Sequence, residues 1–218
     1  MSALVIDTET TGFDEPQPVE VAWLKLEDPL DLTVSESFGA RYRPSKPISL
    51  GALATHHIMD EDLVNCEPCT SFRLPDGVEY LIGHNVDFDW EAIGKPPAKR
   101  IDTCALSRKL WPEADSHSLG AMIYFHEREH AKAFLRGTHS AAVDVDNCWR
   151  LLRQILRALG HPMTWEAVYL LSEDARVPDI MPFGKYKDWL IAEVPADYKR
   201  WLLGQNDVDP YLKTALRK

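Results

Sequence analysis

The chain contains 218 residues, of which 45% are hydrophobic, and its 24 basic and 34 acidic side chains give a net charge of −10. This length suits one full domain with room for a small second one, and the composition excludes disordered, collagen-like and coiled-coil chains as well as attraction to nucleic acid by bulk charge. Four cysteines are too few for a disulfide scaffold in a chain of this length. The sequence has no apolar run near the ~20 residues of a transmembrane helix, and its start lacks the basic residues of a secretory signal. We therefore expect a cytoplasmic protein with reduced thiols.

Strand patterns dominate the first hundred residues. Residues 3–7 form a short apolar run typical of a buried strand, and a loop with Thr11-Gly12 and two prolines follows it. Further segments are strand-like by their apolar or alternating residues, namely 19–26, 36–43, 78–82 and 100–102. These segments supply five strands.

Helical patterns alternate with the later strands. Short helices are predicted at 86–93, 103–110 and 117–125. The clearest helix spans 140–159 and ends at Gly160 and Pro162. Its apolar residues, spaced by four and three, form one stripe that consists of Ala141, Val145, Cys148, Leu152, Ile155 and Leu159. The order of the elements predicts an α/β fold with a mixed sheet flanked by helices.

The end of the chain differs in composition from the rest. Residues 1–160 form the predicted main domain, 161–180 a connector with one short helix at about 164–172, and 181–218 a small C-terminal domain. Residues 181–218 carry seven basic and five acidic side chains, a net charge of +2, whereas residues 1–180 carry 17 and 29, a net charge of −12. Aromatic and basic residues interleaved in the tail could bind single-stranded nucleic acid, but so small a domain has little else to bury, so we expect its Trp residues to form its core.

Two acids end the first strand. Asp7 and Glu9 are two residues apart, so their side chains project from the same face of the strand. Carboxylates that lie side by side repel each other, and a hard divalent cation such as Mg²⁺ or Mn²⁺ removes this conflict. The alternative is a pair of solvated acids at a strand end.

Further candidates lie in the helical segments. In the long helix, Asp144 lies at the margin of the apolar stripe and faces the body of the protein, whereas Asp146 points away from it. His139 can share a site with Asp144 only if it lies at or before the first helical turn, and there it is a candidate base. Asp87 and Asp89 open another helix, where either could simply be a first-turn acid.

Taken together, these residues resemble the DEDDh branch of the DnaQ-like 3′–5′ exonucleases. Three motifs match in order: Ile6-Asp7-Thr8-Glu9-Thr10-Thr11-Gly12 resembles I-D-x-E-T-T-G, His84-Asn85-Val86-Asp87-Phe88-Asp89 resembles H-N-x-x-F-D, and His139 to Asp144 resembles H-x-x-x-x-D. Two shorter matches are Val19-Glu20-Val21-Ala22 for V-E-I-A, and Thr55-His56-His57-Ile58 for V-H-G-I with His57 in place of glycine. The match covers about residues 1–155, and residues 182–218 look like the small C-terminal domain of the exodeoxyribonuclease X type.

The resemblance implies a ribonuclease H-like fold with a five-stranded mixed sheet. It further implies two divalent cations, Mg²⁺ or Mn²⁺, held by Asp7, Glu9, Asp89 and Asp144, with His139 taking a proton from the attacking water. The activity implied is hydrolysis of DNA from single-stranded or frayed 3′ ends, releasing nucleoside 5′-monophosphates. The residues expected by family position to hold the terminal nucleotide are Thr8, Thr11, Gly12, His56 and Asn85, although Thr and Gly also suit a simple turn and His56 a surface loop.

Several alternatives remain at this stage. The substrate could be RNA, the chain could be the proofreading subunit of a polymerase, or it could be a nucleic-acid-binding module without activity. The acids could also belong to a structural protein, against which the inward position of Asp144 argues. Cys66 and Cys69 have C-x-x-C spacing, but the sequence lacks a second such pair, so we infer no zinc site from them.

Overall fold

The computed structural model describes residues 2–160 and 163–218. The chain divides into two compact units, one ending at Ser172 and the other spanning Glu173–Lys218. The predicted boundaries at 160/161 and 180/181 stay a prediction. Residues 161 and 162, the first two of the expected connector, lie outside the described residues. The second of them is Pro162, which was expected to help end the long helix.

One mixed sheet forms the frame of the first unit. Among the described residues it has six strands in the order β4-β3-β2-β1-β5-β6. They are β1 (Ser2–Thr10), β2 (Pro18–Leu26), β3 (Val34–Arg43), β4 (Glu67–Pro68), β5 (Val78–Gly83) and β6 (Lys99–Asp102). β1, β2 and β3 pair antiparallel, and β5 and β6 continue the sheet parallel to β1.

The predicted mixed α/β fold is confirmed, and the sheet has one strand more than the five expected. The additional strand, β4, is only two residues long and pairs with β3 at the edge of the sheet. Two residues are too few to show an apolar period, and Pro68 is tolerated there because an edge strand needs no complete ladder of hydrogen bonds.

β1 lies in the middle of the sheet and carries the two predicted acids at its end. Ala3, Leu4, Val5 and Ile6 are fully buried, as expected for a strand covered on both faces. The pairing of β1 with β2 shifts register between Glu9 and Thr10. Such a shift at a strand end redirects the side chains that follow it.

Helices cover the sheet. Those of the first unit are α1 (Leu50–His56), α2 (Val86–Ala92), α3 (Thr103–Leu110), α4 (Leu119–Phe134) and α5 (Ala141–Leu159), and α6 (Trp165–Arg176) contains the boundary between the units. α5 packs on β1 and β2, with the predicted stripe buried from Ala141 to Ile155. Gly160 ends α5 at a φ of +71°, in the left-handed region that glycine adopts without strain.

The second unit has a core of its own. It contains α7 (Ala196–Leu203) and α8 (Pro210–Arg217), preceded by a loop in which Ile180 bridges to Leu190. Aliphatic side chains and one methionine fill the core, namely Met181, Ile191, Val194, Leu202, Val208, Leu212, Ala215 and Leu216. The expectation that the Trp residues form this core is wrong, because Trp189 is 50% exposed and Trp201 is 56% exposed. α7 turns Leu202 inward, so the neighbouring Trp201 faces solvent.

In the part of the chain that the structure describes, no helix combines the length and the apolar character needed to cross a lipid bilayer. The cytoplasmic location stays a prediction.

Candidate active site

Three of the predicted acids meet at the end of β1. Each of Asp7, Glu9 and Asp144 offers a carboxylate oxygen, and these oxygens lie within 4.8 Å of one another. Asp7 and Glu9 share a face of β1, and the first turn of α5 brings Asp144 to them. Asp146 is exposed, as its angle on the helix predicted. The group has the donor atoms that a hard divalent cation prefers.

Asp89 approaches the same place from α2. Its Oδ1 accepts hydrogen bonds from the Thr8 amide at 2.9 Å and the Thr8 hydroxyl at 2.7 Å. The side chain is buried, and its negative charge raises the pKa of Asp7 more than any other charge does. Asp87, by contrast, forms an ion pair with Arg100 at 2.8 Å. The charge of Asp89 therefore acts on Asp7 and Glu9, whereas Asp87 is held by Arg100.

The pKa values of these acids show how costly their negative charges are. Burial is the largest cause in each case, raising the pKa of Asp7 well above its usual range, that of Glu9 to about 8 and that of Asp89 to about 7. Mutual repulsion adds to the rise at Asp7 and Glu9, whereas the bonds from Thr8 oppose it at Asp89. A dication would stabilise the charged forms and replace protons, so these side chains fit divalent metal ions.

His139 lies in the loop immediately before α5. Its φ is +66°, and its backbone N–H donates to Asp144 Oδ2 at 3.0 Å. This bond lowers the pKa of Asp144, against the larger rise that burial causes. The His139 side chain is exposed. The loop thus holds an accessible imidazole next to the acid group while its main chain fixes Asp144.

Glu20 has a role that the sequence analysis did not assign. It lies opposite Glu9 in the β1–β2 pairing, and its Oε2 accepts from the Ala141 N–H at 2.9 Å and the Ser140 hydroxyl at 3.3 Å. The Ser140 side chain makes no cap hydrogen bond, so Glu20, which lies on β2, caps the N-terminus of α5. Only its place in the V-E-V-A match marked it, because a cap supplied 120 residues away leaves no local pattern.

Glu20 is in turn held by Arg41. Arg41 Nε lies 3.2 Å from Glu20 Oε1, across the β2–β3 pairing in which the two residues are partners. The carboxylate therefore has a cation on one oxygen and the start of α5 on the other. This link connects the sheet to the turn that carries Asp144.

The residues expected to hold a nucleotide divide into two groups. Most make hydrogen bonds inside the protein: the Thr8 hydroxyl bonds to Asp89, and the Thr11 hydroxyl accepts from the Gln17 N–H at 3.2 Å. Gly12 has a φ of +134°, and a Cβ there would lie 2.8 Å from Ser49 Oγ, so glycine is required. Asn85 differs because it is exposed, at a φ of +67° at the start of α2.

His56 is buried rather than at the surface. Its Nδ1 accepts from the Ile58 N–H at 3.0 Å, and the pattern assigns the ring proton to Nε2, which donates to the Thr10 carbonyl at 3.1 Å. Burial lowers the pKa of His56, so the neutral ring is favoured. His56 thus ties the end of α1 to the end of β1.

His57 occupies the position where the family motif has glycine. It ends α1 with a φ of +58°, and its N–H donates to the Leu53 carbonyl at 3.0 Å. The loop therefore keeps the left-handed backbone that glycine adopts easily, at a cost for a residue with a side chain.

Phe13 is a second residue that the sequence analysis missed. It directly follows Gly12, is 93% exposed, and its ring centroid lies 5.7 Å from that of Phe88 on α2. The signal was a large aromatic in an otherwise polar loop next to the acids. An exposed ring in this position offers a face on which a base can stack.

Several solved structures that are similar to this chain are exonucleases. Exonuclease X in complex with 5′ overhanging duplex DNA is 27% identical over 78% of this chain and 99% of its own, with a TM-score of 0.64. The chain resembles the DEDDh exonucleases. E. coli exonuclease I in complex with a dT13 oligonucleotide matches at 19% identity, over 71% of this chain but only 40% of its own, with a TM-score of 0.56.

A third structure names the branch directly. The nuclease domain of 3′hExo, a DEDDh family member bound to rAMP, is 14% identical over 72% of this chain and 92% of its own, with a TM-score of 0.53. Together with the exonuclease X structure, it confirms the predicted resemblance and the ribonuclease H-like fold. At identities below 25%, exonuclease I and 3′hExo support the fold alone.

Comparisons of the amino-acid sequence with known families and curated proteins match only a short part of the chain. The model of a family described as "Putative quorum-sensing-regulated virulence factor" matches residues 174–207, which lie inside the second unit. No curated protein sequence matches the chain.

Proposed function

We propose that this protein is a metal-dependent 3′–5′ exonuclease that hydrolyses phosphodiester bonds at DNA 3′ ends and releases nucleoside 5′-monophosphates. The observation that carries the proposal is the convergence of Asp7, Glu9 and Asp144 within 4.8 Å, with Asp89 acting on the same group. The similarity to exonuclease X supports a nuclease.

In this proposal the four acids hold two divalent cations, Mg²⁺ or Mn²⁺. When bound, such cations polarise the attacking water and stabilise charge on the attacking and leaving oxygens. Asp7 and Asp89 supply ligands from rigid elements, and Thr8 orients Asp89 through two hydrogen bonds. Oriented ligands of this kind reduce the reorganisation that the reaction requires.

His139 is the proposed general base. It takes the proton of the attacking water, the role that an imidazole near a reacting group fills most often. Its exposure leaves the ring accessible to a bound 3′ end. The bond from its N–H to Asp144 keeps this loop next to the ligand group.

The substrate end of the site consists of direct and indirect contacts. Phe13 and Asn85 are exposed beside the acids and are the proposed direct contacts, Phe13 by stacking on a base. Thr8, Thr11 and His56 are proposed to act indirectly, since their polar atoms bond within the protein. Gly12 is proposed to act indirectly as well, because its N–H and its carbonyl both bond to the Thr10 hydroxyl at 3.3 Å.

DNA is the proposed substrate, because exonuclease X, which is 27% identical to this chain, was solved with DNA. RNA is the second candidate, because 3′hExo was solved with rAMP. A nucleic-acid-binding module without activity is the third alternative, and the assembled acid group argues against it.

The decisive experiment is digestion of oligonucleotides labelled at either end. With Mg²⁺ or Mn²⁺, we expect a 3′ label to be released first as a mononucleotide and DNA to be degraded faster than RNA. EDTA should stop the reaction, and Asp144→Asn should behave like EDTA whereas the neighbouring Asp146→Asn should not. Release of a 5′ label first, or activity that persists in EDTA, would contradict the proposal.

A further inference from the structure

The second unit carries a continuous row of four aromatic rings, of which the two at the ends are exposed. The ring centroids of Trp189 and Tyr186 are 5.1 Å apart, those of Tyr186 and Tyr198 4.8 Å, and those of Tyr198 and Trp201 5.3 Å. We call these four residues the aromatic surface. Its two ends are the indoles, which are about half exposed.

The core does not require this row. Aliphatic residues of the loop, α7 and α8 fill the core of the unit, and Tyr186 and Tyr198 are partly buried and pack against it, so it is the two indoles that the core does not use. Leaving two indoles half in water forgoes the free energy that their burial would provide. A cluster of exposed large apolar side chains of this kind marks an interaction site.

The backbone holds the row in place before any partner binds. The Met181 N–H donates to the Trp189 carbonyl at 2.8 Å, and the Asp188 N–H donates to the Met181 carbonyl at 2.9 Å. Gly184 has a φ of +79°, and a Cβ there would lie 2.5 Å from the Tyr198 hydroxyl oxygen. Glycine therefore permits the contact that seats Tyr198, and a preordered surface loses little conformational entropy on binding.

The charges around the row favour a polyanion. Lys185 and Lys187 are exposed in the same loop, and Lys185 Nζ lies 5.2 Å from the Tyr186 ring centroid. α7 adds Lys199 and Arg200, while Asp188 and Asp197 are the acids next to the row. The segment 181–201, which carries the rings, has four basic side chains against three acidic ones, the third being Glu193, whereas the chain as a whole has a net charge of −10.

The geometry points to the aromatic surface as a second binding site, for single-stranded nucleic acid, with bases stacked on Trp189 and Trp201 and with Lys185 and Lys187 on phosphates. Rings interleaved with cations suit this ligand because every base has a face to stack and every nucleotide a phosphate. The inference goes beyond the proposed exonuclease activity and does not depend on it. Binding there would raise the local concentration of a strand for any site on the same chain.

The test uses the full chain with Asp144→Asn in EDTA, so that no cutting disturbs the measurement. Fluorescence anisotropy of 5′-labelled (dT)20 and (U)20 gives the affinity, with a blunt 20-bp duplex for comparison. We expect Trp189→Ala with Trp201→Ala to weaken (dT)20 binding at least about fivefold. Lys185→Gln with Lys187→Gln should lower the salt dependence by about 0.7 per lysine in log–log slope.

Two controls identify the site. Tyr124→Ala removes an aromatic that is 46% exposed in the first unit, and Arg217→Gln removes an exposed cation of α8; neither should change (dT)20 affinity. Circular dichroism shows whether each variant is folded. If the double alanine variant unfolds, the double lysine variant, which keeps all four rings, still tests the site. With Asp144 restored, hydrolysis of thymidine 5′-monophosphate p-nitrophenyl ester should be equal in all folded variants.

Unchanged affinity and salt slope in both double variants would overturn the inference. A second result would also overturn it: sedimentation shows a dimer, and the Trp variants are monomeric but still bind (dT)20. The aromatic surface would then be a protein contact. An inactive wild-type chain that binds (dT)20 through these residues would refute the exonuclease and support this site, so the two proposals fail separately.

Discussion

The two sides of the acid group are built in different ways. On one side, Asp7 lies on the central strand and Asp89 on α2, and Thr8 connects them through two short hydrogen bonds. On the other side, Asp144 lies in the first turn of α5, with a backbone bond from His139 in an exposed loop. The first side contains the buried Asp89 and is fixed by the central strand and α2, whereas the second depends on a helix start and a loop.

In the proposed mechanism, this difference would separate the residues that hold cations from the residue that moves a proton. Ligands on rigid elements stay in place between turnovers, as precise sites require. The proposed base, His139, lies instead on an exposed loop. The following experiments test this division of roles, from the largest expected effect to the smallest.

Removing one ligand charge on the fixed side should have the largest effect. Asp7→Asn should lower exonuclease activity by about a thousandfold or more, because a metal ion supplies several kcal/mol of transition-state stabilisation. The metal-free protein should not lose stability, since the pKa of Asp7 is raised by burial. Activity assays and thermal melts in EDTA measure the two effects. Wild-type activity would remove Asp7 from the ligand set.

Replacing the base on the loop side should leave metal binding intact. His139→Asn should reduce kcat by roughly 10²–10⁴-fold, the usual contribution of a general base. Because its backbone N–H still bonds to Asp144, Mn²⁺ affinity measured by calorimetry should change little. A loss of Mn²⁺ affinity in step with activity would show that the imidazole holds the metal site together instead.

The Glu20 link should matter for position rather than for chemistry. Glu20→Gln removes the charge that caps α5 and pairs with Arg41, so we expect metal affinity to fall about 10–100-fold, as for other groups that orient ligands. High Mn²⁺ should restore most of kcat, which it would not do for Asp7→Asn. Glu36→Gln, which removes an exposed acid paired with Lys25, is the matched control. A kcat that high Mn²⁺ cannot rescue would make Glu20 a ligand.

The raised pKa values predict how pH acts on the metal-free protein. Protonated Glu9 is favoured by folding, so its contribution to stability is complete below its ordinary pKa of 4.5 and is lost as pH rises through about 8. In EDTA, Tm should therefore fall between pH 5 and 8.5 by at least ~2–4 °C, the shift for about 1 kcal/mol in a chain of this length. Mg²⁺ or Mn²⁺ should raise Tm more at pH 8.5 than at pH 5. Equal stabilisation at both values would contradict this account of the acids.

The smallest effect is expected at His57. His57→Gly should raise the free energy of unfolding by at most ~1 kcal/mol, because glycine adopts the observed φ of +58° without strain. Urea unfolding measures this change, and activity should stay at the wild-type level. Destabilisation would show that the His57 side chain makes a contact worth more than the strain.

The sheet and the long helix were predictable because each leaves a periodic pattern, and the grouping of the acids was predicted from the resemblance to the exonuclease motifs. The apolar run before Asp7 identified a buried strand, and the stripe on α5 separated Asp144 from Asp146. Glu20 and Thr8 were not predictable as supports, since both act across the sheet on residues far away in sequence. The position of a cap or an orienting hydroxyl appears only once strands are paired.

The tail shows a second reason for failure. Trp189 and Trp201 were expected inside because a small domain seemed to need them there, but Leu202, Leu212 and Leu216 fill the core instead. Hydrophobicity predicts that a residue gains from burial, but it does not say which of several apolar residues a short helix turns inward. Whether a particular aromatic side chain is exposed therefore cannot be predicted from its hydrophobicity and is seen only in the structure.

The register of β1 limits what natural variation the protein can accept. Side chains alternate along a strand, so inserting or deleting one residue between Ile6 and Asp7 would send both acids to the opposite face. The shift between Glu9 and Thr10 lies just beyond them, where an extra residue is absorbed without disturbing the pair. Length changes should therefore accumulate after Glu9 and be eliminated before Asp7, even where they leave the protein folded.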